Sequence, residues 1–118
     1  MNHVSKVFVG GASLDDVARL LGPALSRELV PIDGGHEALG LPWILVTPNR
    51  ITEELDVGDI GMHTYPIVVT VEESDDRLDV ARKAYDALSA AGYRAMLYDD
   101  GDTFVERHDP EQRHSAAG

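Results

Sequence analysis

Asp16-Val17-Ala18-Arg19 recurs 63 positions further along as Asp79-Val80-Ala81-Arg82, and at the same offset Ala24-Leu25-Ser26 matches Ala87-Leu88-Ser89. A strand-like run precedes each copy at that offset, Val4-Ser5-Lys6-Val7-Phe8-Val9 before the first and Ile67-Val68-Val69-Thr70-Val71-Glu72 before the second. Internal repetition declares architecture before any local reading does. Here it points to two related strand–helix–strand units.

The second unit is the more regular. Residues 67–71 are β-branched and bounded by Pro66. Ser74 or Asp75 can cap a helix whose Leu78, Ala81, Tyr85 and Leu88 fall on one stripe, and Gly92 closes it. Residues 93–98 and 103–107 flank Asp99-Asp100-Gly101-Asp102, which reads as a hairpin turn. In the first unit Ser13-Leu14-Asp15-Asp16 resembles a capping box, and Leu14, Val17, Ala18, Leu21 and Leu25 keep helical spacing. Gly22-Pro23 interrupts them, so this helix is expected to kink or to stop near Leu21. Residues 29–32 and 43–47 read as further strands, with Asp33-Gly34-Gly35-His36 as the turn between them. Residues 48–64 form a long acidic connection, a kind of loop that often carries function.

Two such units in a short chain suggest an α+β fold, a ferredoxin-like plait. Its antiparallel sheet would carry two helices on one face and an extra C-terminal hairpin strand. The expected organisation is a single domain over residues 1–107 and a disordered tail over 108–118. In that topology the strands 67–72 and 93–98 run the same way and end at one edge, about two inter-strand spacings or ~10 Å apart. Glu72, Glu73, Asp75, Asp76 and Asp79, set against Arg77, would meet Asp99, Asp100 and Asp102 there. That end would hold −7 of the formal charge of −11. The Gly10-Gly11 turn would lie at the opposite end.

Composition narrows the function classes. The chain has 118 residues, 43% of them apolar, with 21 Asp and Glu against 10 Lys and Arg. That length and apolar content support one core without staples. The absence of Cys removes disulfides, thiolate metal sites and a cysteine nucleophile. The longest apolar run, residues 41–46, is too short to span a bilayer, and residues 1–6 carry no secretory pattern, so a cytoplasmic protein without membrane attachment is expected. Strong acidity argues against a nucleic-acid partner, because phosphate would be repelled.

Each candidate chemical motif has an ordinary explanation beside it. Gly10-Gly11 sits where a helix N-terminus can hold an anion, yet it lacks both dinucleotide and P-loop spacing and reads as a tight turn. His36-Glu37-Ala38-Leu39-Gly40 begins like a zinc-protease helix but has Gly where the second His belongs, so His36 reads as a loop histidine. Asp99-Asp100-Gly101-Asp102 lacks the alternation of a calcium loop. No metal or cofactor is expected. His63 and Tyr65, just before a central strand, can do acid–base work if partly buried. Otherwise Tyr65 packs, His63 is solvated and Pro66 starts the strand. Trp43 opens an apolar strand as a core anchor, or stands exposed as an interface hot spot.

Two functions follow. The first is a non-enzymatic acidic binding protein for a basic partner, with Glu72, Glu73, Asp76, Asp99, Asp100 and Asp102 as contact residues. Val7-Phe8-Val9-Gly10-Gly11 leading to a helix, then Tyr65-Pro66-Ile67-Val68-Val69 and Ala81-Arg82-Lys83-Ala84-Tyr85-Asp86-Ala87-Leu88 with its acidic hairpin, resemble the small α+β immunity proteins of polymorphic toxin systems. That resemblance implies neutralisation of a basic, nuclease-type toxin without catalysis. The second is a small-ligand regulatory domain or a small isomerase or cyclase, possible as a homodimer. Its cleft would be lined by His63, Tyr65 and His36, and Gly10 and Gly11 would hold an anionic group.

Overall fold

Alternating β-branched residues and two amphipathic segments give the chain its layers. The computed structural model describes residues 4–40, 42–52, 54, 61–72, 75–99 and 103–108. In chain order the elements are β1 (Val4–Gly10), α1 (Leu14–Leu25), β2 (Val30–Ile32), β3 (Gly35–Ala38), β4 (Trp43–Pro48), β5 (Ile67–Glu72), α2 (Arg77–Ala90), β6 (Arg94–Asp99) and β7 (Thr103–His108). One antiparallel sheet runs β2-β3-β4-β5-β1-β6-β7. The described residues thus form an α+β fold with a seven-stranded sheet and two helices. The repeat survives in the fold, because β5 begins 63 positions after β1 and α2 begins 63 positions after α1.

Both helices pack on the same face. Val17 and Leu21 of α1 and Ala81, Ala84 and Leu88 of α2 are buried with Val7, Val9, Ile44, Val46, Val69, Val71 and Leu97 in one core. Burial of each large aliphatic side chain there stabilises the fold by about 1.5–3 kcal/mol. Ser5 is buried on this face too, and its hydroxyl donates to Asp99 Oδ1 at 2.8 Å, which offsets its desolvation. On the helix-free face Phe8, Met96 and Tyr98 are also buried, with Tyr65 laid over them. Phe8 meets Tyr98 edge-on at 5.7 Å and Tyr65 at 6.5 Å between ring centres. Being covered on both faces, β1 reads as the continuous run Val7-Phe8-Val9.

Local chemistry sets the helix ends. Ser13 and Asp16 form the expected reciprocal cap, Asp16 N–H donating to Ser13 Oγ at 3.1 Å and Ser13 N–H to Asp16 Oδ2 at 3.3 Å. The expected break near Leu21 is corrected: α1 continues through Gly22 and Pro23 to Leu25. Pro23 is exposed, and Arg19, whose carbonyl loses its helical partner there, is exposed as well, so water can serve it. Ser26 then turns left-handed at φ 53°, and Arg27 N–H closes on Gly22 O. For α2 the cap is Asp76 rather than Asp75, without a side-chain capping bond, and Ser74 lies outside the described residues.

A second correction concerns residues 33–38. The turn takes only Asp33 and Gly34, and Gly35 and His36 belong to β3, paired with β2 and β4. Gly35 lies so close to β4 that a Cβ would collide with the Val46 carbonyl oxygen, which restricts this site to glycine. β7 also takes in His108, opposite Ala95, where the sequence suggested a tail; residues 109–118 lie outside the described ones.

Candidate functional site

Three places on this scaffold gather polar groups: the two ends of the central strands and a cleft on the helix-free face. β5 and β6 flank β1 and both run antiparallel to it, so Glu72 and Asp99 close the same end of the sheet. Glu72 stands on the helix-free face, half-buried, and Asp76 is exposed at the start of α2. Asp99 is held within the fold. It accepts from Ser5 Oγ at 2.8 Å and faces Arg77 Nε at 3.7 Å. Glu73, Asp100 and Asp102 lie outside the described residues.

The opposite end brings together part of the alternative set. Gly10 pairs with Arg94 across β1 and β6. The Arg94 guanidinium lies 4.4 Å from the centre of the Tyr65 ring, a cation–π contact, and its Nη2 donates to Thr64 Oγ1 at 3.2 Å. Tyr65 is buried, with 2% of its surface exposed, whereas His63 is exposed on a single 3₁₀ turn over Met62–Thr64. Gly11 turns the chain from β1 toward α1 at φ 85°, a conformation that favours glycine. His36 is not part of this corner. It sits on β3 on the helix-packed side, 3.1 Å from Asp15 Oδ1 of α1.

A cleft of about 490 Å³ opens on the helix-free face. Strand alternation builds its floor, because Lys6 pairs with Thr70 while Val68 lies between Phe8 and Thr47. The Asp33-Gly34 turn forms one rim, and Pro48, Asn49, Arg50 and Ile51 form a wall. Asn49 fixes that wall. Its Nδ2 donates to Tyr65 O at 2.7 Å, its N–H to Pro66 O at 2.9 Å, and its Oδ1 accepts from Ile51 N–H at 3.1 Å. Trp43, half-buried on the same face, donates from Nε1 to Glu37 Oε2 at 3.1 Å.

The lining of this cleft was not singled out from sequence. One signal was available, since Lys6 is the only charged residue inside the run Val4–Val9. Its cross-strand partner Thr70, and Thr47 one strand further on, are remote in sequence, so register alone brings them to the same cleft. Among the described residues no group of three His, Asp or Glu is placed to hold a metal ion, and no helix is long and apolar enough to cross a membrane.

Fold and site together define a small α+β protein with an acidic sheet end and a preformed cleft on its uncovered face. No family model, curated protein or solved structure matches the chain.

Proposed function

We propose that this chain is a non-catalytic binding protein whose acidic sheet end docks a basic protein partner. The observation that carries the reading is the shared direction of β5 and β6, which sets Glu72 and Asp76 at the end that Asp99 also closes. Carboxylates gathered on a surface of one sign steer a cationic partner and raise its association rate at low salt. Glu72 and Asp76 are the contacts, while Asp99, tied to Ser5 and Arg77, shapes the field from below. The resemblance to immunity proteins makes a basic nuclease-type toxin the partner of choice, and a chain without cysteine suits the cytoplasm. The strand order β6-β1-β5-β4 with both helices on one face supports reading the inner four strands as a ferredoxin-like plait. The β2–β3 hairpin and β7 extend it. Plaits host many unrelated functions, so the fold lends no weight to either reading.

The test is capture from native lysate at low and high salt, followed by titration of the recovered partner. Glu72→Lys with Asp76→Lys should weaken binding roughly tenfold or more, whereas Glu54→Lys with Asp86→Lys, on other surfaces, should change it little. Equal effects of the two pairs would overturn a single acidic docking end. The small-ligand reading keeps one specific support, the cleft of about 490 Å³ on the helix-free face.

A further inference from the structure

We propose that the cleft on the helix-free face binds a small organic monoanion, a carboxylate carried on an apolar ring or chain. The site is independent of the acidic end and distinct from the corner around His63, Tyr65 and Gly10. The cleft's volume of about 490 Å³ lies inside the ~300–1,000 Å³ range of small-molecule sites. Its wall is preformed, because the Asn49 hydrogen bonds clamp Arg50 and Ile51 to the start of β5.

Charge decides the sign of the ligand. Arg27, Arg77, Arg82 and Arg94 are all engaged, by backbone carbonyls, carboxylates or an aromatic ring. The side chains of Lys6 and Arg50, which both line the cleft, have no ion pair or hydrogen bond among the described residues. Lysine is disfavoured in strands, and on β1 it stands beside the buried Phe8 rather than at an edge. Among the described residues the only carboxylate lining the cleft is Asp33, against Lys6 and Arg50, so this lining is cationic in a chain of formal charge −11. The hydroxyls of Thr47 and Thr70 supply neutral donors on the floor. The lining also has an apolar part: Val68 and Ile51 are half-buried and pack against the cluster that holds Phe8. One anionic head with an apolar body matches this lining, and Asp33 opposes a second negative charge.

The probe is 1-naphthaleneacetate, titrated calorimetrically into the full chain, with 1-naphthaleneacetamide as its uncharged counterpart. The expected result is saturable binding of one molecule per chain, with the amide bound about tenfold weaker or worse. Lys6→Gln and Arg50→Gln should each cost about tenfold in affinity. Arg50 is exposed, so its variant decides the matter should Lys6→Gln fail to fold. Val68→Trp should block the site while leaving the melting temperature near that of the parent. Absence of binding, equal affinity for acid and amide, or full affinity in Arg50→Gln would overturn the proposal.

Discussion

A single methyl group at position 35 is enough to test how tightly β3 and β4 are joined. The Cβ of alanine there would overlap the Val46 carbonyl oxygen, which is backbone and cannot swing aside. Gly35→Ala should therefore lower stability by at least about 2 kcal/mol, read from the midpoint of urea unfolding. Tyr85 is a different kind of marker. Burial pushes its hydroxyl above the ordinary tyrosine value near 10, and the Glu106 carboxylate adds to the shift. A raised acid binds its proton more tightly in the folded state. Its contribution is thus complete below pH ~10 and is lost as pH rises through the folded value. Stability should decline on that alkaline side, and Tyr85→Phe should flatten the decline in melts run at stepped pH. Residue identities exposed the apolar positions well, Val7, Phe8 and Val9 above all. They hid His36, because Asp33-Gly34-Gly35 offers two ways to place a turn and only the close approach of β4 selects one.

At the level of elements, the two helices differ in how much their sequences disclose. The reciprocal cap of α1 is written in Ser13 and Asp16, and Ser13→Ala should remove about 1 kcal/mol of stability by thermal melting. Its far end obeys tertiary packing instead. Leu25 packs against the core and the left-handed Ser26 closes the last turn, so the helix is carried across Pro23 despite the lost bond. An interior proline costs a helix about 3 kcal/mol, and roughly 1 is returned through the restricted unfolded chain. Pro23→Ala should accordingly stabilise the protein by about 1–2 kcal/mol, measured by the same urea titration. In α2 a cluster of adjacent polar residues leaves local rules unable to select the cap, and Asp76 takes it. Strand β3 was missed for a related reason: four residues beginning with glycine carry too little alternation to announce themselves.

Across the whole molecule, the repeat at 63 positions foretold the layering of two helices on one face, since β1 and β5 and then α1 and α2 start in step. Acidic residues at the ends of β5 and β6 were equally legible, because strand direction follows from topology. The cleft was not, because Lys6, Thr47 and Thr70 come to line one cleft only when β1, β4 and β5 are in register. The same arrangement governs the order in which the protein can assemble. β1 lies inside the sheet, yet its strand neighbours are β5 and β6, and even the nearest pairing joins Val9 to Ile67. Closing so long a span is entropically unfavourable until several contacts form together, which slows folding relative to chains built on local pairs. A chain ended after residue 92 lacks β6 and β7 and should show neither the cooperative melt nor the protease resistance of the full chain. On the ribosome, β1 emerges before β5 and β6 and must wait, unpaired, for them. It is enclosed on both edges only once α2 and β6 have followed it out.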